Sequence, residues 1–232
     1  ILIGLVGSEM CIRDRFYPHA TIVTQETADK LTAYVEQGGC LVLGCRTGYK
    51  QENGKCVMSK LPGLLQPLAG TDIPEYTFVS PAEGTVYADW DGVQIEASIF
   101  NDLLEPLTDQ AKVEARYVSS YYAGTPALIS NEKGKGRVYY FGGAFNEHTA
   151  QVFLEKLGAA QPYQDIMALP EGCELMVREA QDGSQYFFVL NYLEEAAEIC
   201  LKESFLDLFE GKEVQGELEL PPFGTKVFAR KK

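Results

Sequence analysis

The run Cys40–Leu43 (CLVL) is four residues with no polar alternation, the pattern of a strand covered on both faces. A strand of that kind sits inside a parallel or mixed sheet, and a parallel neighbour requires a crossover. The residues before it supply one. Thr21–Val23 is a short β-branched run, Thr24 offers a helix N-cap, and Glu26 falls in the first turn, where its charge suits the helix dipole. Ala28, Leu31, Tyr34 and Val35 recur at helical spacing, and Gly38-Gly39 closes the segment. Strand, helix, glycine pair and buried strand predict a βαβ unit.

The grammar then changes. Leu61–Ala69 predicts a short helix with Pro62 at its first position and Pro67 bending or ending it. Tyr76–Val79, Thr85–Ala88, Gln94–Ile99, Val113–Tyr117, Pro126–Ser130 and Arg137–Phe141 are short strand-like runs, the last two joined as a hairpin through Lys133-Gly134-Lys135-Gly136. A helix is expected over Glu147–Leu157 with Asn146 as its N-cap, followed by a linker at Gly158–Pro162. Beyond it, Glu174–Arg178, Tyr186–Tyr192, Glu198–Leu201, Val214–Leu220 and Thr225–Ala229 predict a small antiparallel unit.

Ile1–Arg15 fits neither period, and it lacks the basic start and cleavage site of a signal peptide. Val6–Arg15 (VGSEMCIRDR) resembles translated sequencing-adapter read-through, so residues 1–15 are set aside as non-native and the chain is expected to be a fragment. The division is then 1–15, a truncated α/β domain over 16–161, and a β-domain over 162–232. Net charge is −13, with 19 acids against 13 bases up to Pro162 and 14 against 7 beyond it. Both halves repel a phosphate backbone, which excludes a nucleic-acid partner, and the apolar runs fall far short of the ~20 residues a membrane span needs. Six cysteines are too sparse for a disulfide framework, and unpaired thiols point to a reducing compartment, the cytoplasm.

Candidate chemistry is thin. Cys40, Cys45 and Cys56 lack the paired spacing of a zinc site, so neither metal nor cofactor is expected. Gly44-Cys45-Arg46-Thr47-Gly48 follows a buried strand, where glutamine amidotransferases carry a G-x-C-x-G elbow with a later histidine, and His148 follows a later strand. Centred on Cys45 the frame fails: Leu43 and Thr47 stand where glycines belong, and Glu147-His148 inverts the expected H-x-E. Lys133-Gly134-Lys135-Gly136-Arg137 lacks P-loop spacing and reads as a hairpin turn. His19 has no evident partner. Asp89 and Asp91 flank Trp90, an arrangement suited to sugar binding, but Asp91-Gly92 is more naturally a turn.

His19–Gly39, Leu41–Gly48, Leu61–Leu65 with Gly70, Tyr121–Ser130 and Gly134–Phe141, in that order, closely resemble the middle domain of family-42 glycoside hydrolases, the β-galactosidases. Gln185–Tyr192 (QYFFVLNY) and Pro221–Ala229 (PPFGTKVFA) resemble that family's C-terminal β-domain. The resemblance implies an α/β, amidotransferase-like (flavodoxin-like) middle domain, N-terminally truncated, then a small antiparallel β-domain. It also implies a homotrimer, whose retaining hydrolysis of terminal β-D-galactosides is carried by two glutamates of an N-terminal (β/α)8 barrel that this sequence has no room for. No catalytic, cofactor-binding or metal-binding residue is carried over, and the expected partners are the barrel and neighbouring subunits. The alternatives are a free-standing amidotransferase-like enzyme using Cys45, or a carbohydrate-binding module around Trp90.

Overall fold

The computed structural model describes residues 14–80, 82, 84–159 and 163–230. Residues 1–13, most of the stretch set aside as non-native, lie outside them, as do residues 160–162 of the expected linker. The chain forms two compact units, 13–160 and 161–232. Among the described residues there are fifteen strands and three α-helices, so the protein is mostly β. An α/β domain built from alternating strands and helices is not what forms; one βαβ unit is embedded in a largely antiparallel sheet.

In the first unit, β1 (Asp14–Tyr17), α1 (Gln25–Glu36) and β2 (Cys40–Leu43) make that βαβ unit, with β1 and β2 parallel. The first strand is therefore not Thr21–Val23, where only Ile22 forms an isolated bridge to Lys50. It lies upstream and starts two residues inside the stretch set aside as non-native. Pro18, with no N–H to donate, follows its end. Thr24 caps α1 as expected, its side chain accepting from the Thr27 N–H at 3.1 Å. A 3-10 turn, Gly63–Leu65, leads into α2 (Gln66–Ala69), which Pro67 opens rather than ends.

The remaining strands are β3 (Thr71–Phe78), β4 (Tyr87–Trp90), β5 (Val93–Glu96), β6 (Phe100–Pro106), β7 (Ala111–Tyr117), β8 (Pro126–Lys133) and β9 (Gly136–Phe141), before α3 (Glu147–Lys156). The seven-stranded sheet runs β1-β2-β9-β8-β7-β4-β5, and β3 pairs with β6 in a separate ribbon. Only β1, β2 and β9 are parallel. The pairs β9-β8, β8-β7 and β4-β5 are joined by turns too short for a crossover and so run antiparallel, and β7 pairs antiparallel with β4 across the excursion through β5 and β6.

β2 lies between β1 and β9, and both its faces are covered. Leu41 and Leu43 point with Val138 and Tyr140 toward α1, where Ala28, Leu31 and Val35 meet them. Val42 points with Tyr139 and Phe141 toward α3, against Phe153 and Trp90. This explains the unbroken apolar run. Phe153 is fully buried, with ring centroids 5.1 Å from Trp90, 5.5 Å from Phe141 and 5.1 Å from Phe145.

The second unit holds β10 (Met167–Ala168), β11 (Cys173–Glu179), β12 (Gln185–Asn191), β13 (Ala197–Asp207), β14 (Lys212–Leu220) and β15 (Thr225–Arg230). They order as β10-β13-β15-β12-β11, with β14 on β13, over a core that includes Phe187, Phe205 and Phe228. Burial opposes the charge of Asp207, but Lys226 at 2.7 Å and the N–H groups of Phe209 and Glu210 outweigh it and hold the carboxyl below its ordinary range. Lys226 also bonds Glu210.

Phe153→Ala is expected to cost ~3–5 kcal/mol of stability, since three aromatic neighbours lose a packing partner in a rigid layer. Urea unfolding followed by the fluorescence of Trp90, the single tryptophan, measures it directly.

Candidate functional site

In a sheet with parallel strands, ligands meet the chain at the strands' carboxyl ends. Here those ends carry His19 after β1, Gly44–Gly48 after β2, and Gly142–Phe145 after β9. Strand β6 crosses them. The Asp102 N–H donates to Gly142 O at 2.7 Å, and the Asp102 carboxylate accepts from the Arg46 N–H at 2.9 Å. It also accepts from the Tyr49 hydroxyl at 2.7 Å and the Tyr140 hydroxyl at 2.9 Å. Gly142 allows the approach: a Cβ there would stand 2.2 Å from Asp102 O.

Asp102 is fully buried, and its carboxyl is raised to about 6 because burial disfavours the charge more than these three donors and nearby Arg46 favour it. The expected sequence signals did not find it. Phe100–Pro106 (FNDLLEP) places Asn101 and Asp102 inside and ends on proline, which disguises a buried strand as a loop.

Cys45 is buried, and its partner is His19, not His148. His148 is exposed in the first turn of α3. His19 Nε2 accepts the Phe145 N–H at 3.2 Å, so the proton sits on Nδ1. That nitrogen lies 3.1 Å from Cys45 O and 3.4 Å from Cys45 Sγ. A protonated Nδ1 donates; it has no lone pair with which to take the thiol's proton. Burial first, and the Asp102 charge second, push the thiol far above its ordinary range. An activated nucleophile needs the opposite on both counts.

The residue in the left-handed backbone position after β2 is Arg46, with φ of 63°, and not Cys45. Gly44 and Gly48 flank it symmetrically, so the glycine frame G-x-C-x-G is present one residue along from where Cys45 would centre it, with arginine in the middle. Sequence reasoning could have found this by sliding the frame by one. The Arg46 guanidinium stands 4.5 Å over the Phe100 ring and 5.8 Å from that of Tyr49.

Trp90 is 5% exposed and packs against Tyr139 and Phe153, with Lys156 Nζ 5.5 Å from its ring. Asp91 and Gly92 form the β4–β5 turn in left-handed conformations, and Asp89 accepts the Gly92 N–H. A sugar has no access to the indole face, which removes the carbohydrate-module reading centred there. Lys133 and Gly136 pair across the β8–β9 turn, so the lysine-glycine run is a hairpin. Among the described residues no group of three or more His, Cys, Asp or Glu is placed to hold a metal, and no disulfide joins the cysteines. No helix among them is long and apolar enough to cross a membrane.

Residues 16–162 match the family model of the beta-galactosidase trimerisation domain, and residues 172–230 that of the beta-galactosidase C-terminal domain. The chain is 32% identical over 216 residues to the beta-galactosidase BgaA of Clostridium cellulovorans, and 29% identical over 225 residues to Pbg of Clostridium perfringens. These matches take in 90% and 92% of this chain but 31% and 32% of the relatives. The solved beta-galactosidase of Bacillus circulans sp. alkalophilus superposes with a TM-score of 0.77 at 26% identity, covering 94% of this chain and 33% of that one. A catalytic mutant of Gan42B, a GH42 beta-galactosidase from G. stearothermophilus, gives 0.76 at 26%, covering 95% and 32%. The chain belongs to the family-42 β-galactosidases and spans about a third of the length of the curated relatives it matches.

Two outcomes check this account. The Asp102 carboxyl is higher folded (about 6) than its ordinary 3.8, so its contribution to stability is full below pH 3.8 and is lost as pH rises through 6. The loss is about 3 kcal/mol. Unfolding free energies of Asp102→Asn minus those of the parent should therefore rise by most of that amount, roughly 2.4 kcal/mol, from pH 4 to pH 7, and a constant difference contradicts the assignment. For the thiols, native iodoacetamide labelling at pH 8 should modify exposed Cys56 and leave Cys45 intact until denaturant is added.

Proposed function

We propose that this chain is the assembly portion of a retaining β-galactosidase: a trimerisation domain and a C-terminal β-domain that build the oligomer and support a catalytic barrel. The observation that carries the reading is the tandem match, residues 16–162 to the trimerisation domain and 172–230 to the C-terminal domain. In the whole enzyme, two barrel glutamates would hydrolyse terminal β-D-galactosides by double displacement, one as nucleophile and one as acid and base. This chain's residues would take no part in that chemistry. The neutral, buried Cys45 and the donating His19 support that view and count against a free-standing amidotransferase.

The glycine frame around Arg46, left-handed at the end of a parallel strand, fits a loop of amidotransferase type in which arginine stands where a nucleophile would. The thiols fit a reducing compartment, and we place the enzyme in the cytoplasm.

Sedimentation equilibrium of the chain tests the assembly reading. The expected result is a species of three times 25.7 kDa at micromolar concentration, with no hydrolysis of a nitrophenyl galactoside. A monomer at every concentration, or galactosidase activity from the chain alone, overturns it.

A further inference from the structure

A partly exposed aromatic cluster adjoins Arg46. Tyr76 stacks on Phe100 with ring centroids 5.4 Å apart and planes at 21°, and Tyr49 meets Tyr76 edge-on at 5.5 Å. Phe78 lies directly opposite Phe100 across the β3–β6 ribbon. Tyr76 is 56% exposed and Phe78 62%. Arg46 is exposed too, and among the described residues no carboxylate lies within ion-pair distance of its guanidinium. Aromatic side chains grouped around an unpaired planar cation have the composition of an interface hot spot and not of a solvated surface.

The cluster is also held in place from beneath. The Asp102 carboxylate fixes the Arg46 backbone and the Tyr49 hydroxyl together, so the rings and the cation need little ordering when something lands on them.

We propose that Arg46, Tyr76, Phe78 and Phe100 form the face through which this chain docks onto a second copy of itself. The inference rests on the assembly reading above and says where the contact is made. The cluster lies inside residues 16–162, the segment that matches a trimerisation domain. With 33 acids against 20 bases, another copy offers carboxylates for a planar cation to grip. Two Arg46 side chains facing each other would repel, so the contact is head-to-tail: the cluster of one copy meets a different, acidic surface of the next. That is the kind of contact that closes a three-fold ring.

The test compares Arg46→Glu and Tyr76→Ser with the unsubstituted chain by sedimentation over a concentration series. Phe223→Ser, at an exposed aromatic of the C-terminal unit, serves as the control. Both positions of the cluster are exposed, so thermal melting and the Trp90 emission should stay as in the parent and show that the fold is kept. The expected result is association weakened ~10-fold or more by each cluster substitution and unchanged by Phe223→Ser. If the parent assembles and the cluster variants assemble equally well, this surface assignment falls while the assembly reading stands. If weakening is equal in the control, the contact is unspecific and the assignment falls likewise. A parent that stays monomeric overturns both.

Discussion

One buried carboxylate organises the carboxyl end of the parallel strands. Asp102 reaches from β6 to the loop after β2 through the Arg46 N–H, to Tyr49 beyond that loop, and to Tyr140 in β9. A charge so deep is costly unless its lone pairs are met, and three donors meet them. The consequence runs outward. With the loop fixed, Cys45 stays under cover, Arg46 is pushed to the surface in a left-handed turn, and the Phe100 ring of β6 finds a cation to pack against. The loop after β2 thus turns an arginine outward and keeps its cysteine inside.

Much of this was legible in the amino-acid sequence, and the reasons differ by element. α1 and α3 carry their own start signals, Thr24 and Asn146, and the structure uses both as caps. CLVL declared its double burial because no polar residue interrupts it. β6 was hidden because its buried positions hold Asn101 and Asp102, polar groups whose partners are remote in the chain: Tyr122 for one, Arg46, Tyr49 and Tyr140 for the other. No local pattern encodes a hydrogen bond across fifty residues. β1 was missed for another reason, since its first two residues belong to a stretch dismissed by resemblance.

The site shows the same division. The failed glycine frame counts against Cys45 as a nucleophile, and in the structure its thiol is buried beside a histidine turned to donate. That Arg46 occupies the centre of the frame was present in the letters but lacked meaning until the backbone showed which residue takes the strained position. Trp90 could be weighed only as turn or sugar platform. Its burial against Phe153 and Tyr139 is a tertiary fact, set by a helix some sixty residues later.

The position of β2 also bears on how the chain acquires its shape. Cys40 pairs with Asp14 on one side and with Arg137 on the other, so the strand's second partner is made roughly a hundred residues later. Closing that distance costs entropy before any contact repays it, which makes this pairing slow. On a ribosome the most apolar strand of the molecule therefore waits with one edge open until β9 emerges. During that interval CLVL is the segment a chaperone would hold, or another nascent chain would capture.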